Sequence, residues 1–491
     1  MRRGSIIIDK TFDDFQIGDV YVLKRSFSEA DFSAFSKISG DTNPLHHNEN
    51  YAKNTEFNKI IVPMHLIAAP LSSVAGMVFP GHRSLYLSHE VKSHLPVFFD
   101  EEVTYASKII EKNRPENILI IRTIVYRDAK VLMSAIQKVQ IRNEDIDVKI
   151  LKETKVAGQL LSNEKSYTLV TGAAGEIAQS TIMRLAKNGT NLILIVRRID
   201  KNFAELVSRV KEYGSDVEII EMDLSSEKMK PLFAEFLKKF RGFIETVIFA
   251  ASPNIGACIN EQMSVNYSSL KYITEFCLPQ WLERQYGQIL YLSSSAMHYH
   301  PLGFDDYVTA KAAGTNYLDG IRKRFLQWGI KVQCLAVGKV DTNFSSSLNS
   351  QIKMQMIPEQ VAETIVDILY DKGSSDFYYW LEKSGLKIGS YEFISKAVSS
   401  VKSTAIKPEF SGNTDSFNMA DKLKSFMLDF FNLEQGVSWE NVGIDLIPGW
   451  DSLRHIEFIL AIEKSFSVKL STQEIDKTMT FHDLLDLLEG K

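Results

Sequence analysis

Residues 167–189 run YTLVTGAAGEIAQSTIMRLAKNG, an apolar strand that passes through a glycine-containing turn into an amphipathic helix. A turn of this kind aims unpaired backbone N–H groups and the positive end of a helix at an anion, and its glycines let a pyrophosphate lie close to the backbone. Gly172, Gly175 and Ile177 are its candidate cofactor contacts, with Ala178 where a third glycine is expected. Outward from it, LILIVRR, VIFAAS, QILYLSS and KVQCLAV repeat the apolar strand at spacings that fit a crossover helix. Residues 164–380 are therefore expected to form an α/β domain around a doubly wound parallel sheet.

Within that domain FDDYVTAKAAG, residues 304–314, carries Tyr307 and Lys311. On a helix these two are one turn apart and share a face. A phenol with an ordinary pKa near ~10 is a poor acid at neutral pH, and a neighbouring ammonium is expected to lower it. Ser294, at the end of QILYLSS, offers a hydroxyl to a substrate carbonyl or alcohol. Together with TGAAGEI, Asp223 in EMDLSS and Asn266 in SVNYSS, these residues make the segment from about 164 to 350 resemble the short-chain dehydrogenases/reductases. The resemblance implies a Rossmann fold in which Tyr307 donates the proton, Ser294 orients the carbonyl, Lys311 holds the nicotinamide ribose and Asn266 supports a water relay. It also places Asp223 at the adenine. The chain departs from the family at Ala178, at AAS where Asn-Ala-Gly is usual, and at Val337 where proline is usual. Arg197 and Arg198, at the end of LILIVRR, suit the 2′-phosphate of NADPH better than the ribose hydroxyls of NAD.

Near the C-terminus IDLIPGWDSLRHIEFILAIEKSFSVKL, residues 444–470, sets Asp451, Ser452 and Leu453 at the start of an amphipathic helix. Asp and Ser are ordinary helix N-caps, but the whole stretch from about Lys422, in a domain expected over residues 419–491, resembles acyl and peptidyl carrier proteins. That resemblance implies a small all-α four-helix domain, with Ser452 carrying covalent 4′-phosphopantetheine supplied by a phosphopantetheinyl transferase. Residues 381–418, rich in Ser, Lys and Gly, are expected to be a linker.

At the other end SGDTNPLHHNENYAKNTEF, residues 39–57, separates Asp41 from His46 by a turn and leads toward a helix expected over residues 51–78. An Asp and a His in one cleft can hold a water or move a proton, although Asp-Thr-Asn-Pro also makes a good turn with no catalysis. With FQIGD, FPGHRSLYLS and LPVFFDEEV, residues from about 10 to 141 resemble MaoC-like hydratases/dehydratases, within a domain expected over residues 1–150. An α+β hotdog fold follows from the resemblance, with Asp41 and His46 as acid and base. Where that family reads Ile-Val-His-Gly-Met, this chain reads IVPMH, with Pro63 and Met64 at the His and Gly positions. Proline has no N–H and methionine crowds a backbone approach that glycine permits, so the domain is either a hydratase or a non-catalytic dimerising module.

The remaining constraints are negative. A chain of 491 residues with 45% hydrophobic and 24% charged residues and net charge −5 is ordinary for a multidomain protein, with no electrostatic pull toward nucleic acid or membrane. Three dispersed cysteines form no metal or disulfide pattern and suggest a reducing, cytoplasmic setting. The resemblances combine into a multifunctional enzyme on acyl-thioester substrates. It would reduce a 3-oxoacyl group on its own carrier with NADPH and interconvert 3-hydroxyacyl and 2-enoyl thioesters. Ketosynthase, acyltransferase and thioesterase steps would fall to separate proteins, and a homo-oligomer is implied. Two alternatives stay open: a ketoreductase-carrier protein handing a hydroxyacyl group to an acyltransferase, and a dehydrogenase of free sugars or alcohols.

Overall fold

The computed structural model describes residues 10–142, 158–161, 164–346, 356–371, 376–389 and 419–431, with Ile462, Phe466, Val468, Leu485, Asp486 and Leu488 beyond them. Described residues up to Gly389 belong to one compact unit and those from Met419 to a second.

The first unit opens with an antiparallel sheet of β1 (Val20–Arg25), β2 (Ser84–Ser93), β3 (Val103–Asn113), β4 (Ile118–Arg127), β5 (Lys130–Ile141) and β6 (Gln159–Leu160), in the order β2-β5-β4-β3-β1-β6. β6 pairs with β1, so this sheet extends past the boundary expected at residue 150. Its helices are α1 (Glu29–Ser39), α2 (Glu49–Lys53), α3 (Met64–Ala68) and α4 (Pro70–Met77). The single helix expected over 51–78 is thus three pieces, because Pro63 caps α3 and Pro70 starts α4, and proline, with no N–H to donate, favours the start of a helix over its interior. Leu71, Val74 and Ala75 of α4 share a core with Tyr105, Ile109, Ile121 and Val139, a helix wrapped by a sheet in the hotdog manner.

The second sheet has eight strands: β7 (Ser166–Thr171), β8 (Asn191–Val196), β9 (Val217–Glu221), β10 (Phe243–Phe249), β11 (Gly287–Ser294), β12 (Ile330–Val337), β13 (Tyr378–Glu382) and β14 (Gly385–Gly389). Helices α5 (Glu176–Lys187), α6 (Lys201–Glu212), α7 (Met229–Lys239), α8 (Ile259–Met263), α9 (Leu270–Arg284), α10 (Ala296–Tyr299), α11 (Asp305–Phe325), α12 (Asn343–Ser346) and α13 (Pro358–Tyr370) connect them. The order β14-β13-β12-β11-β10-β7-β8-β9 is parallel except for β14. Strand order reverses between β7 and β10, and the carboxyl ends of strands at such a switch point are where doubly wound folds bind ligands. The hairpin of β13 and β14 carries the domain to Gly389, correcting the end expected at 380 and the linker expected from 381.

In the second unit α14 (Met419–Phe431) buries Leu423 and Met427, and Phe426 meets Phe466 edge to face at 5.6 Å. Ser452 lies outside the described residues, as does most of the expected four-helix domain.

The two sheets of the first unit are joined through a shared core. Ala106, Ile124 and Tyr126 belong to the same buried cluster as Phe243, Trp281 and Trp328. At its rim Lys108 donates to the carbonyls of Arg284 and Gln285 at 3.1 and 3.2 Å, capping the C-terminal end of α9. Burial, helped by the nearby Arg122 charge, pushes the Lys108 pKa down to about 8. An unfolded lysine keeps its proton to ~10.4, so between pH 8 and 10 the unfolded chain holds more protons and this site adds stability as pH rises. In urea titrations of Lys108→Met, the gain in unfolding free energy from pH 8 to pH 10 should be smaller than in the wild type by about 1–2 kcal/mol. An identical gain in both proteins refutes the shift.

Candidate active sites

Strand β11 delivers Ser294 and α11 delivers Tyr307 and Lys311 to one buried point, with 9%, 6% and 2% of their surfaces exposed. The Ser294 hydroxyl accepts the Ala296 N–H at 3.2 Å and stands near enough to Tyr307 to influence its pKa. The Lys311 ammonium lies 5.8 Å from the Tyr307 ring centroid and 4.9 Å from that of Tyr291, and donates to the Leu292 carbonyl at 2.7 Å. The structure brings the three residues together as expected but reverses the expected electrostatics. Burial raises the Tyr307 pKa, against a smaller lowering by Ser294. Burial also pushes Lys311 down to about 7, so a large part of the ammonium is neutral near neutral pH.

Asn266 sits on a π-helical turn, Ser264–Ser269, and is fully buried. Its amide donates to Gln262 at 3.0 Å, while its side-chain oxygen has no partner among the described residues. Tyr291 donates its hydroxyl to the Asn266 backbone carbonyl at 3.4 Å, a contact that sequence reasoning missed. Wide turns of this type concentrate at functional sites because they release a carbonyl from the helix ladder.

The glycine turn fits an anionic dinucleotide. Gly172 has φ +64°, and a Cβ there would stand 2.7 Å from the Ala251 Cα, so only glycine lets the turn lie against the end of β10. Gly175 caps α5, whose first internal bond is from the Gln179 N–H to the Gly175 carbonyl, leaving the N–H groups of Glu176, Ile177 and Ala178 at the open helix end. AAS in place of Asn-Ala-Gly is accommodated because Ala250 and Ala251 both donate backbone N–H groups to the Thr171 hydroxyl, at 3.1 Å each.

At the adenine end Asp223 is opposed by burial but held below the usual carboxylate range by the Ser225 hydroxyl and N–H and by Arg197. Arg197 is shared between Asp223 at 3.5 Å and Glu261 at 3.4 Å, and exposed Arg198 makes no ion pair among the described residues. A phosphate there would have to compete for Arg197 and would find Arg198 uncommitted.

In the N-terminal sheet domain Asn43 starts a short 3-10 turn that carries His46. The His46 Nδ1 lies 2.8 Å from the Ile61 carbonyl, which can only accept, so Nδ1 donates to it and, in the neutral ring, Nε2 is the nitrogen with the lone pair. Nε2 faces the Asp41 carboxylate at 3.9 Å, too far for a direct hydrogen bond, so each atom retains capacity for a third partner. The other Asp41 oxygen accepts the Asn43 N–H at 3.1 Å, the turn-forming role also foreseen. Ile61 leads into α3, where Met64 is the first helical residue. The first bonds of α3 come from Leu66 and Ile67, so the Met64 N–H is free of the helix ladder. Among the described residues no three or more metal-ligating side chains cluster, and no helix is long and apolar enough to cross a membrane.

Residues 14–124 match the MaoC like domain and residues 166–353 the short chain dehydrogenase family. An (R)-specific enoyl-CoA hydratase of Aeromonas caviae is 31% identical over 117 residues, 24% of this chain and 87% of the relative. The chain belongs to the MaoC-like family, joined to a short-chain dehydrogenase domain. The dehydrogenase domain is 25% identical over 226 residues to an uncharacterized oxidoreductase, YmfI, of Bacillus subtilis, covering 42% of this chain and 92% of that one. Among solved structures, a short-chain dehydrogenase from Sphingobium yanoikuyae in complex with NADPH aligns with 51% of this chain and 100% of its own at 17% identity and TM-score 0.41.

Sequence reasoning missed Ile61, whose carbonyl orients His46, and Thr342 and Asn343 after β12. The last two lie beyond the carboxyl end of a central strand, where the crevice rule alone could have pointed. Because Gly172 combines a left-handed backbone with a Cβ clash, Gly172→Ala should lower unfolding free energy by about 2–4 kcal/mol in urea denaturation. A loss below about 0.5 kcal/mol contradicts the close approach.

Proposed function

We propose that the chain acts on acyl thioesters in two consecutive steps, NADPH-dependent reduction of a 3-oxoacyl group in the dehydrogenase domain and dehydration, or the reverse hydration, in the MaoC-like domain. The observation that carries this reading is the presence in one compact unit of a buried Ser294–Tyr307–Lys311 cluster and an Asp41–His46 pair, because the 3-hydroxyacyl product of the first chemistry is the substrate of the second.

Gly172, Gly175, Ile177, Asp223, Arg198 and Lys311 would hold the cofactor, which supplies a hydride when bound. Ser294 holds the substrate carbonyl, and Tyr307 gives the proton that turns the reduced oxygen into a hydroxyl. Reprotonation of Tyr307 draws on Lys311, with the buried Asn266 side-chain oxygen, which has no partner among the described residues, able to accept from a relaying water. The low Lys311 pKa suits a group that passes protons, since donor and acceptor forms coexist near neutral pH. At the other site the Asp41 carboxylate and the His46 imidazole hold the water: in hydration its oxygen bonds to C3 as a proton is delivered to C2, and in dehydration the C2 proton is taken as the C3 hydroxyl leaves as water. The free Met64 N–H supports a contact to the thioester oxygen despite the loss of glycine. Similarity to an enoyl-CoA hydratase supports the thioester assignment. Carriage of the acyl group by phosphopantetheine on Ser452 is proposed on the carrier resemblance alone.

Intact-protein mass spectrometry after loading acetoacetyl-pantetheine on the carrier tests all three parts. A Ser452-dependent adduct should gain two hydrogens with NADPH and then lose water. Tyr307→Phe should slow the gain by about 10²–10⁴-fold while leaving water loss from a supplied 3-hydroxybutyryl group intact, and Asp41→Asn with His46→Ala should do the reverse. Turnover of free alcohols that is indifferent to Ser452→Ala would instead identify a dehydrogenase of untethered substrates.

A further inference from the structure

Glu176 is the first residue of α5, in the turn that would cradle the cofactor pyrophosphate. Its carboxylate does not cap its own helix. Across the cleft the Asn343 backbone N–H donates to it at 3.1 Å and the Asn343 side-chain amide donates to its other oxygen at 2.6 Å. The contact bridges the glycine turn to α12, the segment that follows β12. An open cleft of about 440 Å³ is bordered by Glu176, Gln179, Asp341, Thr342, Asn343 and Glu359. The next residue, Phe344, lays its ring 6.1 Å from that of Tyr307, so the segment held by Glu176 also covers the reacting tyrosine.

A carboxylate at a helix N-terminus is favourable for the same reason that a phosphate there is, since both answer the positive end of the helix and its unpaired N–H groups. The Glu176 carboxylate, held by Asn343 beside that helix end, is a like charge next to the place a phosphate would take. We propose that Glu176 and Asn343 form a clasp across the mouth of the dinucleotide groove that the cofactor pyrophosphate must open, so that Glu176 acts as a brake on cofactor affinity. The proposal rests on the nicotinamide-cofactor reading of the dehydrogenase domain. Two unit charges about 5 Å apart at a protein surface repel strongly enough to change affinity by about tenfold. Glu176→Ala removes charge and clasp together. Glu176→Gln removes the charge but keeps a carbonyl oxygen that can still accept from Asn343.

The test is binding of NADPH and NADH to the full chain by nicotinamide fluorescence and calorimetry, with no turnover involved. Glu176→Ala should bind NADPH about tenfold more tightly than the wild type, and Glu176→Gln should lie between the two. Affinity for 2′-AMP, which has no pyrophosphate, should be the same in all three proteins. A Glu176→Ala affinity equal to or weaker than the wild type overturns the clasp, as does a parallel gain for 2′-AMP. Failure of the cofactor reading looks different: neither the wild type nor the variants then bind NADPH or NADH at millimolar concentration, and both ideas fall.

Discussion

Gln285 follows the last turn of α9 with a left-handed backbone, φ 47°, and is 1% exposed. Its side-chain amide donates to the carbonyls of Ala106 and Arg122 in the neighbouring sheet, at 2.8 and 3.1 Å, and its side-chain oxygen accepts from the Arg122 guanidinium. Arg122 reaches on to the Gln327 carbonyl at 3.0 Å, just before Gly329, where a Cβ would stand 2.4 Å from the Gln285 carbonyl. Every strong donor and acceptor in this knot comes from one sheet domain and is satisfied by the other. Removing one partner would strand a buried polar group, and such losses are steep because the surroundings offer no water in exchange. The apolar contacts around it make the interface part of a core, unlike the smaller, more polar interfaces that let domains drift. The positions of the MaoC-like and dehydrogenase sites within this unit thus follow from residues in neither site.

Burial is the second constraint, and it acts on Tyr307 and Lys311 in opposite directions. Each charged form is disfavoured away from water, so the phenol holds its proton more tightly and the amine more loosely. A protonated Tyr307 is the form that can donate, which matches reduction. The simple account in which a fixed ammonium beside the ring makes it acidic does not describe the protein without cofactor. At about 7, the Lys311 pKa makes its charge responsive to whatever fills the groove, as anionic groups nearby would favour the ammonium.

Much of this was legible in the sequence wherever a feature is local. The glycine turn, the Tyr-x-x-x-Lys helix and the Asp41–His46 turn depend on spacing along one segment, and the structure places each on the element expected. β9 went unseen because VEIIE is an edge strand, half exposed, whose glutamates interrupt the apolar run that marked the central strands. The end of β13 and all of β14 fall in the stretch expected to be a linker because the Gly and Lys of the hairpin resemble those of the segment beyond.

Illegible in principle were the contacts that depend on registers between distant segments. Nothing near Lys108 or Arg122 announces a partner at Gln285, since a cation on a strand is ordinarily a solvated one. The buried pattern of β4, in which Ile124, Val125 and Tyr126 are covered on both faces, did carry a trace of it. A strand of an antiparallel sheet that faces water on one side alternates polar and apolar, and a run without alternation must be covered twice. In a hotdog the wrapped helix covers one face, so IIRTIVY in β4 already required a second body against the other.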